Sequence, residues 1–272
     1  MKSFILWSAA LVILLGLALF FYQNRFFETE EEPALVSMEE PTPEPVKPVV
    51  KYPVPKREPV AEQPSETEQA EVVVEPPPSL LESDKTLQET LNRMLKEQKL
   101  LALLHLKNFI QRFVVTVDRM TEKQLSQHHL PVTAPEGKFQ VSGGSISPQN
   151  ANRYTPYLQL IETIGIDPAV SIYVYYYELF QEAYRELGAP QAHFNDRFVV
   201  VIDHLLETPD VKEPIGVIQP MIVYKFADPE LEGLSAGQKL LLRIGADNRA
   251  KVKAILENLR RKLTTLGDVA RN

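Results

Sequence analysis

Cysteine is absent from the 272-residue chain. A disulfide framework, a thiolate nucleophile and a cysteine-ligated metal site are therefore excluded. The sequence also lacks G-x-S-x-G, G-x-G-x-x-G, Walker A and H-E-x-x-H motifs, so it indicates none of the enzyme classes that these motifs define. The Gly143-Gly144-Ser145 stretch is predicted to be a turn. We identify no catalytic residue, cofactor or small-molecule substrate from the sequence.

Charge is absent from residues 4–22, a run of nineteen residues between Lys2 and Arg25. At 1.5 Å per residue, a helix of this length spans about 29 Å, close to the hydrocarbon thickness of a bilayer. A cleaved signal peptide is the alternative, but the run ends in Leu-Phe-Phe-Tyr rather than in a small-residue cleavage site. We therefore predict a single transmembrane anchor within residues 1–27. Its amino terminus is expected in the cytoplasm and the rest of the chain outside it.

Glycine is absent from residues 28–78, which hold twelve of the 22 prolines, thirteen acidic residues and four basic ones. Proline opposes helices and central strands, and the low apolar content opposes a packed core. We predict a disordered linker over residues 28–79, with a reach of at most about 150 Å. An alternative to a passive tether is a docking site, because proline-rich segments bind aromatic grooves. The apolar island of this linker comprises Val49, Val50, Tyr52 and Val54.

Residues 80–272 have the composition of a folded domain, and their apolar periodicity is mainly that of helices. Proline and glycine mark several boundaries, as at Ser147-Pro148, Asp167-Pro168 and Gly188. Ser235 and Gln238 form a predicted capping box. The predicted helices cover about residues 83–95, 98–120, 148–164, 168–187, 194–206, 236–244 and 247–264. The fold class is thus a multi-helix globular domain with one or two short β-strands, near residues 139–146 and 215–226.

Five tyrosines lie in the predicted helix 168–187. The stretch 170–177 is rich in β-forming residues, but the flanking start and stop signals favour a helix. Helical spacing places four of the tyrosines on one side, which favours core packing over a stacking platform. Tyr175 is then the better candidate for a contact surface. The four predicted core tyrosines are Tyr173, Tyr176, Tyr177 and Tyr184.

The most polar helix face carries Asp196, Arg197, Asp203 and His204. One interpretation is a structural network of ion pairs and hydrogen bonds that joins helices. The other is a carboxylate–histidine acid/base pair or a metal site. A zinc site needs three or four convergent ligands, and five histidines without an H-x-x-x-H arrangement do not indicate one. We expect no metal, and we expect the adjacent His128 and His129 to face water.

The carboxyl-terminal stretch from residue 235 has nine basic and three acidic residues. A helix-turn-helix that binds DNA is one interpretation, but a domain held outside the cytoplasm would not meet nucleic acid. Basic residues near a helix end also favour the helix dipole, and contact with anionic lipids or with the acidic linker is a further alternative. The candidate basic surface comprises Lys251, Lys253, Arg260, Arg261 and Lys262.

Three segments resemble a known bacterial family. They are F-Q-E-A-Y-R-E-L-G at residues 180–188, F-N-D-R-F-V-V-V-I-D-H-L-L at 194–206 and Y-K-F-A-D-P-E-L-E-G-L-S-A-G-Q-K-L-L-L-R-I-G at 224–245. Together they resemble the domain-of-unknown-function 3014 family over about residues 80–264. The resemblance implies a membrane-anchored protein of Gram-negative bacteria, and it implies no activity and no catalytic residues.

These features predict a single-pass protein of the bacterial inner membrane that presents residues 80–272 in the periplasm. We expect a non-enzymatic scaffold or adaptor of the cell envelope, with a protein partner there. Two alternatives stay open. One is an envelope hydrolase that uses the region of Asp203 and His204. The other is a protein of the TonB kind, in which the proline- and glutamate-rich linker is the functional part.

Overall fold

The computed structural model describes residues 50–55, 79–80 and 82–269. The predicted anchor at residues 1–27 and most of the predicted linker lie outside the described residues. Among the described helices, none is long and apolar enough to cross a membrane.

The described part of the chain is mainly helical, as predicted, with two short antiparallel strand pairs. Strands β1 (Val141–Ser142) and β2 (Ser145–Ile146) form one pair, and β3 (Val217–Ile218) and β4 (Lys225–Phe226) form the other. Two 3₁₀ helices cover Gln127–His129 and Pro148–Tyr154. The α-helices are α1 Ser83–Met94, α2 Gln98–Leu101, α3 Phe109–Arg119, α4 Thr155–Ile164, α5 Ile166–Tyr175, α6 Tyr177–Glu186, α7 Phe194–Leu206, α8 Pro229–Glu232, α9 Ala236–Arg243 and α10 Ala246–Val269.

Helix α7 lies at the centre of the domain and packs against α3, α6, α9 and α10. Its apolar residues cover several faces of the helix, so it is buried by neighbours on more than one side. Phe194 is fully buried and stacks on Phe180, with ring centroids 5.9 Å apart. Phe113 makes edge-on contacts with both of these rings, and the ring of Tyr173 also contacts Phe194. The core of the domain is therefore organised around the first turns of α7.

The prediction of one continuous helix over residues 98–120 is wrong, because residues 102–108, between α2 and α3, are not helical. Asn108 adopts a left-handed conformation with φ of 54°. The carboxylate of Asp84 accepts hydrogen bonds from the backbone N–H groups of Asn108 and Phe109, at 2.6 and 3.1 Å. A side chain from α1 thus caps the start of α3. The apolar periodicity of one stretch of sequence cannot reveal a contact between separate elements.

The β-forming stretch 170–177 is helical, as predicted, but the helix is interrupted at Tyr176, between α5 and α6. The four tyrosines expected in the core are buried, which confirms that interpretation. Tyr175 is half-buried and makes an edge-on ring contact with Tyr176. Leu187, the last residue of the predicted helix 168–187, is exposed because it lies past the end of α6.

The two strand pairs adjoin each other beside a second, smaller core. Gly143 and Gly144 both have positive φ values, of 57° and 74°, and make the turn between β1 and β2, as predicted. The N–H of Ile146 donates to the carbonyl of Ile215 at 2.8 Å, which joins the first pair to the second. The buried residues of the smaller core are Ile215, Val217, Phe226, Leu231 and Leu242.

The carboxyl-terminal helices begin as predicted. Ser235 Oγ accepts from the N–H of Gln238, and Gln238 Oε1 accepts from the N–H of Ser235, which confirms the capping box. Helix α10 runs to Val269, beyond the predicted end near Thr264. This additional length places its last turns beside the amino-terminal segment described next.

Candidate functional site

Residues 50–55, which lie within the predicted linker, pack against the helical domain. We call this stretch, V-K-Y-P-V-P, the docked segment. The backbone bends at Lys51 and Tyr52, and Pro53 and Pro55 carry no N–H group. Tyr52 and Val54 pack against the main core, whereas Lys51 and Pro53 are exposed.

Asp196, in the first turn of α7, holds the backbone of the docked segment. Its Oδ1 accepts from the N–H of Tyr52 at 2.8 Å, and its Oδ2 accepts from the N–H of Lys51 at 3.0 Å. Hydrogen bonds to a charged acceptor are stronger than neutral ones. The start of a helix also favours a carboxylate through the helix dipole. The acid is therefore held near the helix start and presents both oxygens to two consecutive amides.

Asn195 contacts the docked segment from beneath and is fully buried. Its Nδ2 donates to the carbonyl of Tyr52 at 2.9 Å and to that of Leu263 in α10 at 3.3 Å. Its Oδ1 accepts from the hydroxyl of Tyr173 in α5, at 3.2 Å. One amide side chain thus joins α5, α7, α10 and the segment, and these partners define its orientation.

Gly267 in α10 makes room for the docked segment. A Cβ at this position would lie 2.6 Å from Cγ of Pro53 and 3.1 Å from its carbonyl oxygen. Both distances are too short for the proline ring and backbone to stay in place. The absence of a side chain allows the segment to lie directly against the helix. We call the surface formed by Asn195, Asp196, Leu263 and Gly267 the linker-binding site.

Two buried tyrosines lie behind this site. Burial raises the pKa of Tyr177 to about 12, an effect that a backbone hydrogen bond from Asn195 reduces and the charge of Asp196 increases. Burial, with smaller contributions from Tyr177 and Asp196, raises the pKa of Tyr173 well above its usual value. Both hydroxyls are consequently neutral donors at physiological pH. Tyr177 donates to Gln181 Oε1, which also accepts from the N–H of Phe194 at 2.9 Å.

The four residues of the predicted polar face have separate partners rather than a shared pocket. Asp196 contacts the docked segment. Arg197 donates to Asp118 Oδ1 at 2.8 Å and to Thr121 Oγ1 at 2.9 Å, next to α3. The remaining two pair with later elements. Asp203 binds Arg260 of α10 and thereby raises the pKa of that guanidinium, and His204 Nε2 lies 2.9 Å from Ser235 Oγ.

Three of the five predicted basic-surface residues bind acids on other elements. Lys253 donates to the carbonyl of Thr208 at 2.7 Å and pairs with Asp210. Arg260 binds Asp203, and Lys262 pairs with Asp167 at the start of α5. The other two, Lys251 and Arg261, are exposed. These contacts attach α10 to its neighbours.

The described ranges contain no group of three or more His, Asp or Glu side chains placed to hold a metal ion. His128 and His129 are exposed, as predicted.

Sequence reasoning identified Asp196 but missed Asn195 and Gly267. The signals for these two residues are modest. An Asn-Asp pair stands at the start of a clear helix, and a glycine interrupts a helical pattern near the end of the chain. The apolar island was recognised as a docking candidate, and Tyr52 and Val54 are its members that pack against the core.

The fold and the site define a mainly helical domain that binds a proline-containing segment from earlier in its own chain. Residues 109–260, a little over half of the chain, match the family described as Protein of unknown function (DUF3014), and the chain belongs to this family. No curated protein and no solved structure matches it. The matched range includes Asn195 and Asp196, begins after the docked segment, and ends before Leu263 and Gly267.

Proposed function

We propose that this protein is a single-pass protein of the bacterial inner membrane that presents its helical domain in the periplasm as a non-enzymatic adaptor. We further propose that the domain works by binding short proline-containing peptide segments at the linker-binding site. The membrane placement is supported by the uncharged run at residues 4–22. The peptide-binding role is supported by one observation, the docked segment held through its backbone by Asp196 and Asn195.

The contacts of the docked segment are those of a peptide ligand. The two consecutive N–H groups of Lys51 and Tyr52 converge on one carboxylate at a bend of the backbone, and the carbonyl of Tyr52 is bound by Asn195. These bonds require no particular side chains on the ligand. Tyr52 and Val54 fill apolar positions, and Pro53 lies against Gly267. Other peptide-binding sites also draw affinity from main-chain bonds and sequence preference from side-chain positions. The expected ligand class is a short bent segment with the pattern aromatic–proline–aliphatic.

The hydrolase alternative has one observation in its favour, the 2.9 Å contact between His204 Nε2 and Ser235 Oγ. That hydroxyl is buried and already accepts the N–H of Gln238 as a helix cap. Asp203 binds Arg260 instead of orienting the imidazole. A nucleophile needs access to substrate and a base oriented by a third group. We therefore favour the adaptor. The TonB-like alternative agrees with it in one respect, since the linker supplies a bound segment.

The proposal is tested by crosslinking the full chain in living cells and identifying bound proteins by mass spectrometry. We expect reproducible envelope proteins whose crosslinks map to α7 and α10. The variant Gly267→Ala should lose these partners, because its methyl group blocks the position of a ligand proline. Thr265→Ala, an exposed change in the same helix, is the matched control and should retain them. Recovery of no reproducible partner, or of equal partners from both variants, contradicts the proposal.

A further inference from the structure

The connection between β3 and β4 exposes a cluster of large apolar side chains. Met221 is 80% exposed, Ile222 is 90% exposed and Val223 is 64% exposed. Ile218, at the end of β3, is exposed beside them. Single exposed apolar residues are ordinary, but a contiguous group marks an interaction surface. We call residues 218–223 the hairpin tip.

The base of this hairpin is firmly packed, so the exposure of the hairpin tip is not the result of a frayed end. Phe226 is buried in the smaller core, and the guanidinium of Arg243 lies over its ring at 5.0 Å. Arg243 also donates to the carbonyl of Tyr224, whose ring contacts Phe139. Within the connection, Gln219 Nε2 donates to the carbonyl of Ile222 at 3.0 Å. The apolar side chains are thus presented from an ordered support.

The hairpin has no acidic residue. Lys225 is the sole charged residue among residues 215–227. Two of the acids that follow are engaged by the protein itself: Asp228 caps α8, and Glu232 accepts the N–H of Phe226 and pairs with Lys239. An apolar tip with one lysine suits the surface of a bilayer that contains anionic lipid, since a nearby carboxylate would be repelled there.

We propose that the hairpin tip inserts into the headgroup region of the bilayer to which the chain is anchored. The inference rests on the membrane anchor proposed above. The docked segment begins 28 residues after residue 22 (50 − 22 = 28), and a chain of that length spans at most about 100 Å. Such a tether keeps the domain at a high local concentration beside the bilayer. Side chains that protrude this far need no matching groove in a lipid surface, whereas a protein partner would have to supply one.

The experiment uses the full chain, reconstituted in vesicles of phosphatidylethanolamine and phosphatidylglycerol. Because the chain has no cysteine, Ile222→Cys provides a unique site for an environment-sensitive fluorophore. We expect a blue-shifted emission that a lipid-attached quencher reduces. Val200→Cys, on an exposed position of α7, is the matched control and should show neither effect.

Co-flotation with the vesicles separates the two proposals. If the chain floats with vesicles but the fluorophore at residue 222 behaves as at residue 200, the hairpin proposal alone is overturned. If the chain does not float, both the anchor and the hairpin proposal fail. A blue shift without quenching means that protein, such as a second copy, covers the hairpin tip, and this outcome also overturns the proposal.

A second variant tests whether the apolar side chains cause the insertion. The fluorophore is placed at residue 218 by Ile218→Cys, and Met221, Ile222 and Val223 are replaced by serine. These side chains are exposed, so the domain keeps its core. We expect most of the lipid quenching to be lost relative to Ile218→Cys alone. Equal quenching in both proteins would contradict insertion through the apolar tip.

Discussion

At Asp196, one carboxylate accepts two consecutive backbone amides of the docked segment. This arrangement depends on both oxygens being acceptors, which distinguishes a carboxylate from the amide of the same shape. Asn195 has the opposite requirement, because it must donate to two carbonyls and accept from a tyrosine. The two neighbouring positions are therefore not interchangeable, although their side chains have nearly the same size.

We predict that Asp196→Asn releases the docked segment. The substitution removes the charge and places an NH₂ group against a backbone N–H, so at least one bond worth about 1.5 kcal/mol or more is lost. Hydrogen exchange at the amides of Lys51 and Tyr52 should accelerate by about tenfold or more. Asp118→Asn is the control, since it weakens the ion pair with Arg197 and leaves these amides bound. Unchanged exchange in Asp196→Asn would refute the assigned role of the carboxylate.

At the scale of elements, α10 has two structural roles. Its basic side chains form ion pairs with α5, with α7 and with the chain that follows α7. Its last turns contact the docked segment. The second role requires a glycine within a helix, where glycine is ordinarily unfavourable by about 1 kcal/mol relative to alanine. The structure supplies a reason for that residue, because any side chain would collide with Pro53.

Gly267→Ala should therefore change helix stability and segment binding in opposite directions. The alanine favours the helix by up to about 1 kcal/mol, while its methyl group displaces Pro53. We expect the urea midpoint of the domain to stay the same or rise, and the amides of Lys51 and Tyr52 to exchange as in a free peptide. Thr265→Ala, which also gains helix propensity, should keep or raise the urea midpoint and leave the protection of the two amides unchanged. Retained protection of the two amides in Gly267→Ala would show that Pro53 does not occupy this position.

Elements with complete local signals were predictable. Helix α7 begins and ends at the predicted residues, and the capping box of α9 is present. The break between α2 and α3 was not predictable in the same way, because it depends on a carboxylate 24 and 25 residues earlier and on bonds to residues 131–133. Prediction of the site from sequence is limited in the same way, by contacts between residues that are distant in the chain. Asp196 was a candidate from its type and helix face, but its ligand stands 144 residues away in a stretch whose composition favours disorder.

At the scale of the whole molecule, the buried tyrosines link stability to pH. The pKa of Tyr177 is raised by burial to about 12, and burial also raises the pKa values of Tyr173 and Tyr184. A raised pKa means that the folded state binds the proton more tightly than the unfolded state, whose tyrosines titrate near 10. This contribution is therefore complete below about pH 10 and is lost as pH rises toward 12.

We predict that the free energy of unfolding falls between pH 10 and pH 12, as measured by urea denaturation at fixed ionic strength. Tyr177→Phe should reduce the size of that fall, because its side chain cannot ionise. Tyr175→Phe provides the comparison at a half-buried tyrosine and should leave most of the fall in place. A free energy of unfolding that is independent of pH across this range would contradict the burial of ionisable hydroxyls beside Asn195.

The docked segment also decides how the domain bears mechanical load. Tension applied from the amino-terminal side of residue 50 reaches the helices first through the bonds to Asp196 and Asn195, not through α1. While those bonds hold, the load bypasses residues 53–78. Their rupture brings residues 53–78 into the load path and lengthens it by up to about 90 Å. Asn195 and Asp196 therefore set the force at which a load on the amino-terminal side passes from α7 to α1.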